Sequence, residues 1–283
     1  MLRRYTLTLN LILVLCAWIN LPSAHAQDAD SLQIVTNKWN KKTIRKGVVW
    51  NQGHFDNLFN AVQEINWVEI DLKKNKKKVF IAADAKQLKT TATFAAENDA
   101  LVAINGGFFD MKNGGSVDFI KVGGTVINET NAPSSRANAV FSIQKNKVQI
   151  SSANKENTEN SPAHDVMLSG PLLLSEGKRI PLSSNPFNSN RHPRTALGIT
   201  KNNKLILIVV DGRNSLANGM SLDELAKVLH WIGAQEAMNL DGGGSSTLYI
   251  KGESANDIVN YPSDNKKFDH EGQRKVANII YLK

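Results

Sequence analysis

The sequence predicts an α+β fold, a strand-rich mixed domain with a few helices packed on the sheet. Three observations carry that expectation. Short apolar runs recur along the chain far more often than helical stripes do, and glycine-containing turns separate several of them. One run, Leu205 to Val210, is apolar at every position, which suits a strand covered on both faces. Strands outnumber helices too heavily for a doubly wound fold.

The elements follow in order. Arg3 and Arg4 precede an apolar stretch from Leu9 to Leu21, and Ala24-His25-Ala26 supplies a small-x-small cleavage site. The apolar run is shorter than the ~20 residues a membrane span needs, so residues 1–26 read as a secretory signal and the chain is expected to be exported, periplasmic or secreted. The chain's one cysteine, Cys16, falls in that segment. A mature chain without it has no disulfide, thiol nucleophile or cysteine-bound zinc. Residues 27–283 are expected to form one domain, as no internal repeat is visible.

Within that domain, Phe55 to Glu64 is expected to be helical. Strands are expected at Ile65 to Leu72 and Val79 to Ala83, with Lys73, Lys74, Lys76, Lys77 and Lys78 between them as a solvated hairpin tip. Attraction of those lysines to an anionic envelope polymer is the second reading. A helix is expected over Thr91 to Asn98, then strands at Leu101 to Ile104, Phe119 to Val122, Thr125 to Asn128, Ala139 to Ile143, Val148 to Ile150 and Leu172 to Leu174. Gly123-Gly124 and Glu176-Gly177-Lys178 are turn signals. Ser221 and Glu224 form a capping box before an apolar stripe of Leu222, Leu225, Val228, Leu229 and Ile232, and Gly233 closes that helix. Strands at Leu205 to Val210, Thr247 to Ile250 and Val276 to Leu282 complete the set. Ser151 to Ala163, Ser183 to Pro193 and Glu253 to Arg274 read as long surface loops.

Composition limits the function. With 283 residues, 41% hydrophobic and a net charge of +8, the chain is neither disordered, collagen-like nor a disulfide scaffold. It carries no zinc-finger or RNP-type motif, and nucleic acid is not an expected partner. Its histidines are not at zinc-ligand spacing.

Four segments place glycine beside polar or charged residues directly after apolar runs. They are Asn105-Gly106-Gly107-Phe108-Phe109, Arg194-Thr195-Ala196-Leu197-Gly198, Asp211-Gly212-Arg213 and Asp241-Gly242-Gly243-Gly244-Ser245-Ser246. Glycine lets backbone N–H groups approach an anion, so the implied ligand is anionic. The last segment lacks a Walker lysine and precedes a strand rather than a helix, and Ser245 is not in a G-x-S-x-G elbow. A nucleotide loop and a serine nucleophile are both disfavoured.

The series AINGGFF, SGPLLL, RTALGI, VVDGRN and MNLDGGGSST, with the Ser221 helix before the last, resembles the phosphodiester glycosidase family. The resemblance implies hydrolysis of the bond between a sugar's anomeric carbon and a phosphodiester, in envelope, capsular or host glycans. The residues suit that chemistry. The leaving phosphate monoester has a second pKa near ~6 and needs little proton donation, which leaves a carboxylate and phosphate donors as the requirements. Asp241 is expected to be the main catalytic carboxylate and Asp211 the second. Arg194, Arg213 and the N–H groups of Gly242, Gly243, Gly244, Ser245 and Ser246 are expected to hold the phosphate, while Asn105 and Thr195 orient sugar hydroxyls or the phosphate, beside Gly106 and Gly107. The sequence assigns no cofactor. The two Asp, Asn105 and the hydroxyls are also donors of the kind that Ca²⁺ or Mg²⁺ takes, and metal dependence stays open at this stage. Two other readings stand beside the glycosidase: a non-catalytic glycan-phosphate binding module, and a phosphodiesterase cutting the P–O bond.

Overall fold

Leu205 to Val210 does lie between two covered faces. In this computed structural model, which describes residues 29–37, 39–129, 136–145 and 147–283, the strand Lys204–Val210 stands in an eight-stranded sheet. Leu205, Leu207 and Val209 point into one apolar cluster, and Ile206, Ile208 and Val210 into another on the opposite face. Strand periodicity of two sends alternate side chains to opposite faces, and six fully buried apolar residues are the consequence.

The large sheet runs, edge to edge, Asn40–Arg45, Val48–Leu58, Ala61–Asp71, Lys204–Val210, Arg194–Thr200, Ala234–Asn239, Leu172–Ser175 and Lys178–Arg179. Its inner face packs on a five-stranded sheet and a four-stranded sheet through one cluster that includes Val68, Leu207, Met238, Ile104, Ile280 and Phe141. The five-stranded sheet runs Lys147–Ser152, Ala139–Gln144, Asp165–Ser169, Ile120–Val122, Thr125–Asn128, and the four-stranded one Leu248–Ile250, Val102–Asn105, Asn278–Leu282, Val79–Ala83. Every strand pairing within them is antiparallel. The architecture is strand-rich with few helices.

Helices lie outside the sheets. Leu222–Trp231 has the reciprocal capping box of Ser221 and Glu224, and buries Leu222, Leu225, Val228 and Leu229 on the outer face of the large sheet. Each such leucine, fully buried, contributes roughly 1.5–3 kcal/mol. Gly233 follows with φ +99°, a conformation that stops the helix. Thr91–Glu97 covers the four-stranded sheet with Phe94 and Ala95, capped by the Thr90 hydroxyl. The helix Ala29–Thr36 was not expected; it buries Ile34 beside Leu58.

Several expectations are corrected. Phe55 to Glu64 is not a helix but the tip of a hairpin, in which Leu58 pairs with Ala61 and Phe59 and Asn60 both adopt φ 57°. A two-residue turn in the left-handed region matches strand twist, and burial of Phe55 and Leu58 outweighs helix propensity. The lysine run is exposed as expected but is no hairpin tip, because Ala61–Asp71 and Val79–Ala83 belong to different sheets. Arg194 to Gly198 is itself a strand, central in the large sheet. Val276 to Leu282 divides into Lys275–Val276, paired with Lys89–Thr90, and Asn278–Leu282. The signal-like residues 1–26 lie outside the described residues. Among the described residues no helix is long and apolar enough to cross a membrane.

Candidate active site

The four glycine-bearing segments meet at one end of the molecule. Asn105 ends a strand of the four-stranded sheet, Arg194 begins its strand, and Asp211 and Asp241 follow strands on either side of it. Antiparallel register places Arg194 against Val210 and Ala196 against Asn239, so those ends coincide.

Asn105 joins them. Its side-chain oxygen accepts from the Thr195 hydroxyl at 2.8 Å and the Thr247 N–H at 3.1 Å, and its amide nitrogen donates to the Asp241 carbonyl at 2.7 Å. Asn105 and Thr195 are fully buried. Both are engaged with the protein and hold the Asp241 backbone in place, where the sequence reading had them orienting sugar or phosphate. The Asp241 N–H donates to the Gly106 carbonyl at 3.0 Å. Gly106 is required because a Cβ there would stand 2.1 Å from Asn278 Oδ1, which accepts the Gly107 N–H at 2.7 Å.

The loop Gly242 to Ser246 closes into one 3-10 turn, Gly243–Ser245. The N–H groups of Gly243, Ser245 and Ser246 donate to Pro193, Gly242 and Gly243 carbonyls. Those three N–H groups are thus spent inside the protein, and the expected cradle of backbone donors is reduced. What the glycines allow instead is close cover by cations. Gly243 has φ +64°, and a Cβ on it would lie 2.9 Å from Arg213 Nη2; one on Gly244 would lie 2.4 Å from Asp264 Oδ1 and 2.7 Å from Arg274 Nη2.

Asp241, half-buried, immediately precedes that glycine loop. Burial pushes its carboxyl up; the nearby Ser245 hydroxyl, the Arg274 guanidinium, the Gly242 N–H and the Arg136 guanidinium pull the other way. The Ser245 hydroxyl does this without a well-formed hydrogen bond. Arg213 and Arg136 are exposed, and Arg136 lies 4.1 Å over the Phe108 ring. Arg274 is half-buried and donates through Nε to Asp264 at 2.9 Å.

Arg194 is placed differently from the expectation. It is 2% exposed, and its guanidinium donates to the Met220, Phe187 and Asn190 carbonyls at 2.8, 2.7 and 2.9 Å. Burial and the neighbouring Arg213 lower its pKa to about 10. It ties the 187–190 turn and Met220 to the sheet.

Asp211 is likewise 1% exposed. Its Oδ1 accepts from Asn260 Nδ2 at 2.8 Å and the Tyr261 N–H at 3.0 Å, while Oδ2 is buried without a partner. Burial, together with Glu64, pushes its carboxyl up to about 7 against the pull of those two donors. Asp211 anchors the 253–274 loop, the same loop that delivers Asp264 and Arg274 to the glycine turn. Sequence reading found that loop but not its role. It also missed Asp118, a buried carboxyl raised by burial to about 6 and opposed by Arg136. The signal for Arg136 and Asp118 was weak, because neither lies in a glycine motif.

Of the oxygen donors that a hard cation could take, the Asn105 oxygen accepts two hydrogen bonds and Asp211 Oδ1 accepts from Asn260 and Tyr261. Among the described residues no three His, Cys, Asp or Glu side chains are grouped so that they could hold a metal ion.

A sequence profile of phosphodiester glycosidases matches residues 98–283, the stretch that carries every side chain of this site. The chain belongs to the phosphodiester glycosidase family. N-acetylglucosamine-1-phosphodiester alpha-N-acetylglucosaminidase of Bos taurus is 29% identical over 197 residues, covering 64% of this chain and 36% of that protein. The chain thus spans about a third of the length of the curated relatives it matches. The catalytic domain of the zebrafish protein of the same name, auto-inhibited by its pro-peptide, superposes with a TM-score of 0.68 at 22% identity, over 86% of this chain and 85% of that one. A putative exported protein of Burkholderia pseudomallei K96243 superposes with a TM-score of 0.58 at 15% identity, over 79% of this chain and 74% of that one. At these identities the structural likenesses concern the fold, and they extend the phosphodiester glycosidase architecture across the strand-rich body described above.

Proposed function

We propose that this chain is an exported hydrolase that cleaves the bond between a sugar's anomeric carbon and a phosphodiester in envelope, capsular or host glycans. The observation that carries the reading is Asp241, a half-buried carboxyl that opens the glycine turn on which Arg213 and Arg274 pack, and that feels the charge of Arg274 and Arg136. A carboxylate is what an oxocarbenium-like transition state needs beside it, and guanidinium groups match the leaving phosphate in charge and shape.

In this mechanism Asp241 stabilises the developing positive charge at the anomeric carbon or activates water. Arg213, exposed over Gly243, and Arg136, on the Phe108 ring, bind the phosphodiester oxygens. The phosphate monoester leaves with its negative charge held by those cations, so a strong general acid is dispensable. Asp118, which like Asp241 feels the charge of Arg136, is a second raised carboxyl beside that guanidinium. Asp211 and Arg194 act by holding the 253–274 loop and the 187–190 turn, and Asn105 and Thr195 by fixing the Asp241 backbone.

The test is turnover of a panel of sugar-1-phosphodiesters, UDP-sugars included, with and without a chelator. Release of free sugar and phosphate monoester, lost in Asp241→Asn, supports the glycosidase. Tight binding without release by the wild-type protein would favour a glycan-phosphate binding module, and loss of activity in the chelator would bring a divalent cation into the mechanism.

A further inference from the structure

All three sheets present their site residues at one end, and the opposite end has its own character. There Leu282 pairs with both Val102 and Val79, Ile143 with Asp165, and Lys204 with Asp71. The seven-residue strand Arg194–Thr200, at ~3.4 Å per residue, separates the two ends by roughly 20 Å.

A cavity of about 550 Å³ opens at this far end, with Val79, Phe80, Ile143 and Pro162 as apolar walls, Lys77 and Lys145 lining it, and His164 and the buried Asp165, whose Oδ1 accepts the Gly123 N–H, also lining it. Beside it a recess of about 320 Å³ is lined by Arg45, Lys46, Lys74, Asn75 and Lys78, with no carboxylate among them. A smaller cleft shares Lys77 and Lys145 with the cavity and Asn75 with the recess, and so joins the two. Lys74 pairs with Asp71 at 3.1 Å and Arg45 donates to Asn75 Oδ1 and the Lys283 carbonyl at 2.9 and 2.7 Å, but among the described residues Lys46, Lys77, Lys78 and Lys145 have no ion pair. Four lysines without an ion pair, beside a cavity whose walls are mostly apolar, suit an anion that also has an apolar side.

We propose that this end is a second, non-catalytic binding site for an anionic polysaccharide. Sugar rings present apolar C–H faces to walls such as Phe80 and Pro162, and their charged substituents meet the lysines. The choice of cation agrees. The proposed catalytic end uses Arg136, Arg213 and Arg274, whose rigid forks fix one phosphate in one geometry, whereas the far end is mostly lysine, a hydrated point charge on a flexible stem. Lysines suit weak, exchanging contact along a polymer. Taking the polysaccharide as the occupant rests on the proposed function, since a chain carrying many phosphate-linked sugars is what both ends would then share.

Binding is tested on Asp241→Asn full-length protein, titrated with dextran sulfate, neutral dextran and polyphosphate at low and high salt. The triple variant Lys77→Gln/Lys78→Gln/Lys145→Gln should weaken dextran sulfate about tenfold or more and flatten its salt dependence, since exposed charges are screened beyond about 8–10 Å. In the background with Asp241 intact, the same triple variant should leave turnover of a small sugar-1-phosphodiester unchanged. Phe80→Ala should weaken dextran sulfate severalfold and polyphosphate hardly at all. Unchanged dextran sulfate affinity in the triple variant, its loss in Arg213→Ala instead, or equal sensitivity of polyphosphate to Phe80→Ala would each overturn the second site. Because the readout is binding, it stands or falls separately from catalysis: absence of turnover with lysine-dependent dextran sulfate binding would sink the proposed reaction and leave this site in place.

Discussion

Asn105 Nδ2 donates to the main-chain carbonyl of Asp241 over 2.7 Å, although 136 residues separate them in sequence. With Thr195 and Thr247 on its oxygen, one buried amide fixes the backbone from which the proposed catalytic carboxyl hangs.

Asn105→Ala should therefore cost about 2–4 kcal/mol of stability, because it strands three buried partners, while Thr195→Val, which removes one bond, should cost about 1 kcal/mol. Chemical denaturation of the two single variants and the double variant measures this. Fully additive losses would mean that the two side chains act independently.

Asp241→Asn should lower turnover of a sugar-1-phosphodiester by at least about 100-fold, in the range seen when an electrostatic catalytic group is removed. Its stability should hold or rise, since burial already disfavours the charged carboxylate. Paired kinetics and thermal melts check both halves, and a variant that loses activity only because it unfolds would contradict the assignment.

Arg213→Ala and Arg194→Ala should fail in opposite ways. Arg213 is exposed over Gly243, so its loss should raise KM with a small stability change. Arg194 is buried on three carbonyls, and its loss should cost about 3–5 kcal/mol. Reversal of that pattern would return Arg194 to the phosphate.

Asp211 gives a pH signature. Its folded-state pKa of about 7 lies above the ordinary carboxylate value of 3.8, so the native state holds a proton that the unfolded chain has released. Stability from this group is fully present below about pH 4 and declines as pH rises through 7, by an amount of order 4 kcal/mol at most. Asp211→Asn should be nearly flat over the same interval. Denaturation midpoints across pH 4 to 8 compare the two, and parallel curves would remove Asp211 as the source.

Much of this fold can be read from local pattern. The capping box of Ser221 and Glu224, the all-apolar Leu205 to Val210 and the Gly123-Gly124 turn each encode their element within a few residues, and each lies where expected. What failed depended on distant partners. Phe55 to Glu64 has no local turn signal such as Asn-Gly; what favours the hairpin is burial of Phe55 and Leu58 in the outer apolar cluster, with Phe55 against Trp39 and Phe59 stacked on Trp231. The same division runs through the site. Its glycine motifs were legible, because close approach and positive φ leave a trace in sequence. That Arg194 is walled in by three carbonyls, or that Arg136 stands on Phe108, depends on how loops fold back and leaves none.

The central claim is which bond breaks. Incubating the protein with a sugar-1-phosphodiester in ¹⁸O-labelled water, then weighing both products by mass spectrometry, reads it directly. Cleavage at the anomeric carbon predicts the label in the free sugar and none in the phosphate monoester. Label in the phosphate would mean attack at phosphorus, and would contradict the role given to Asp241.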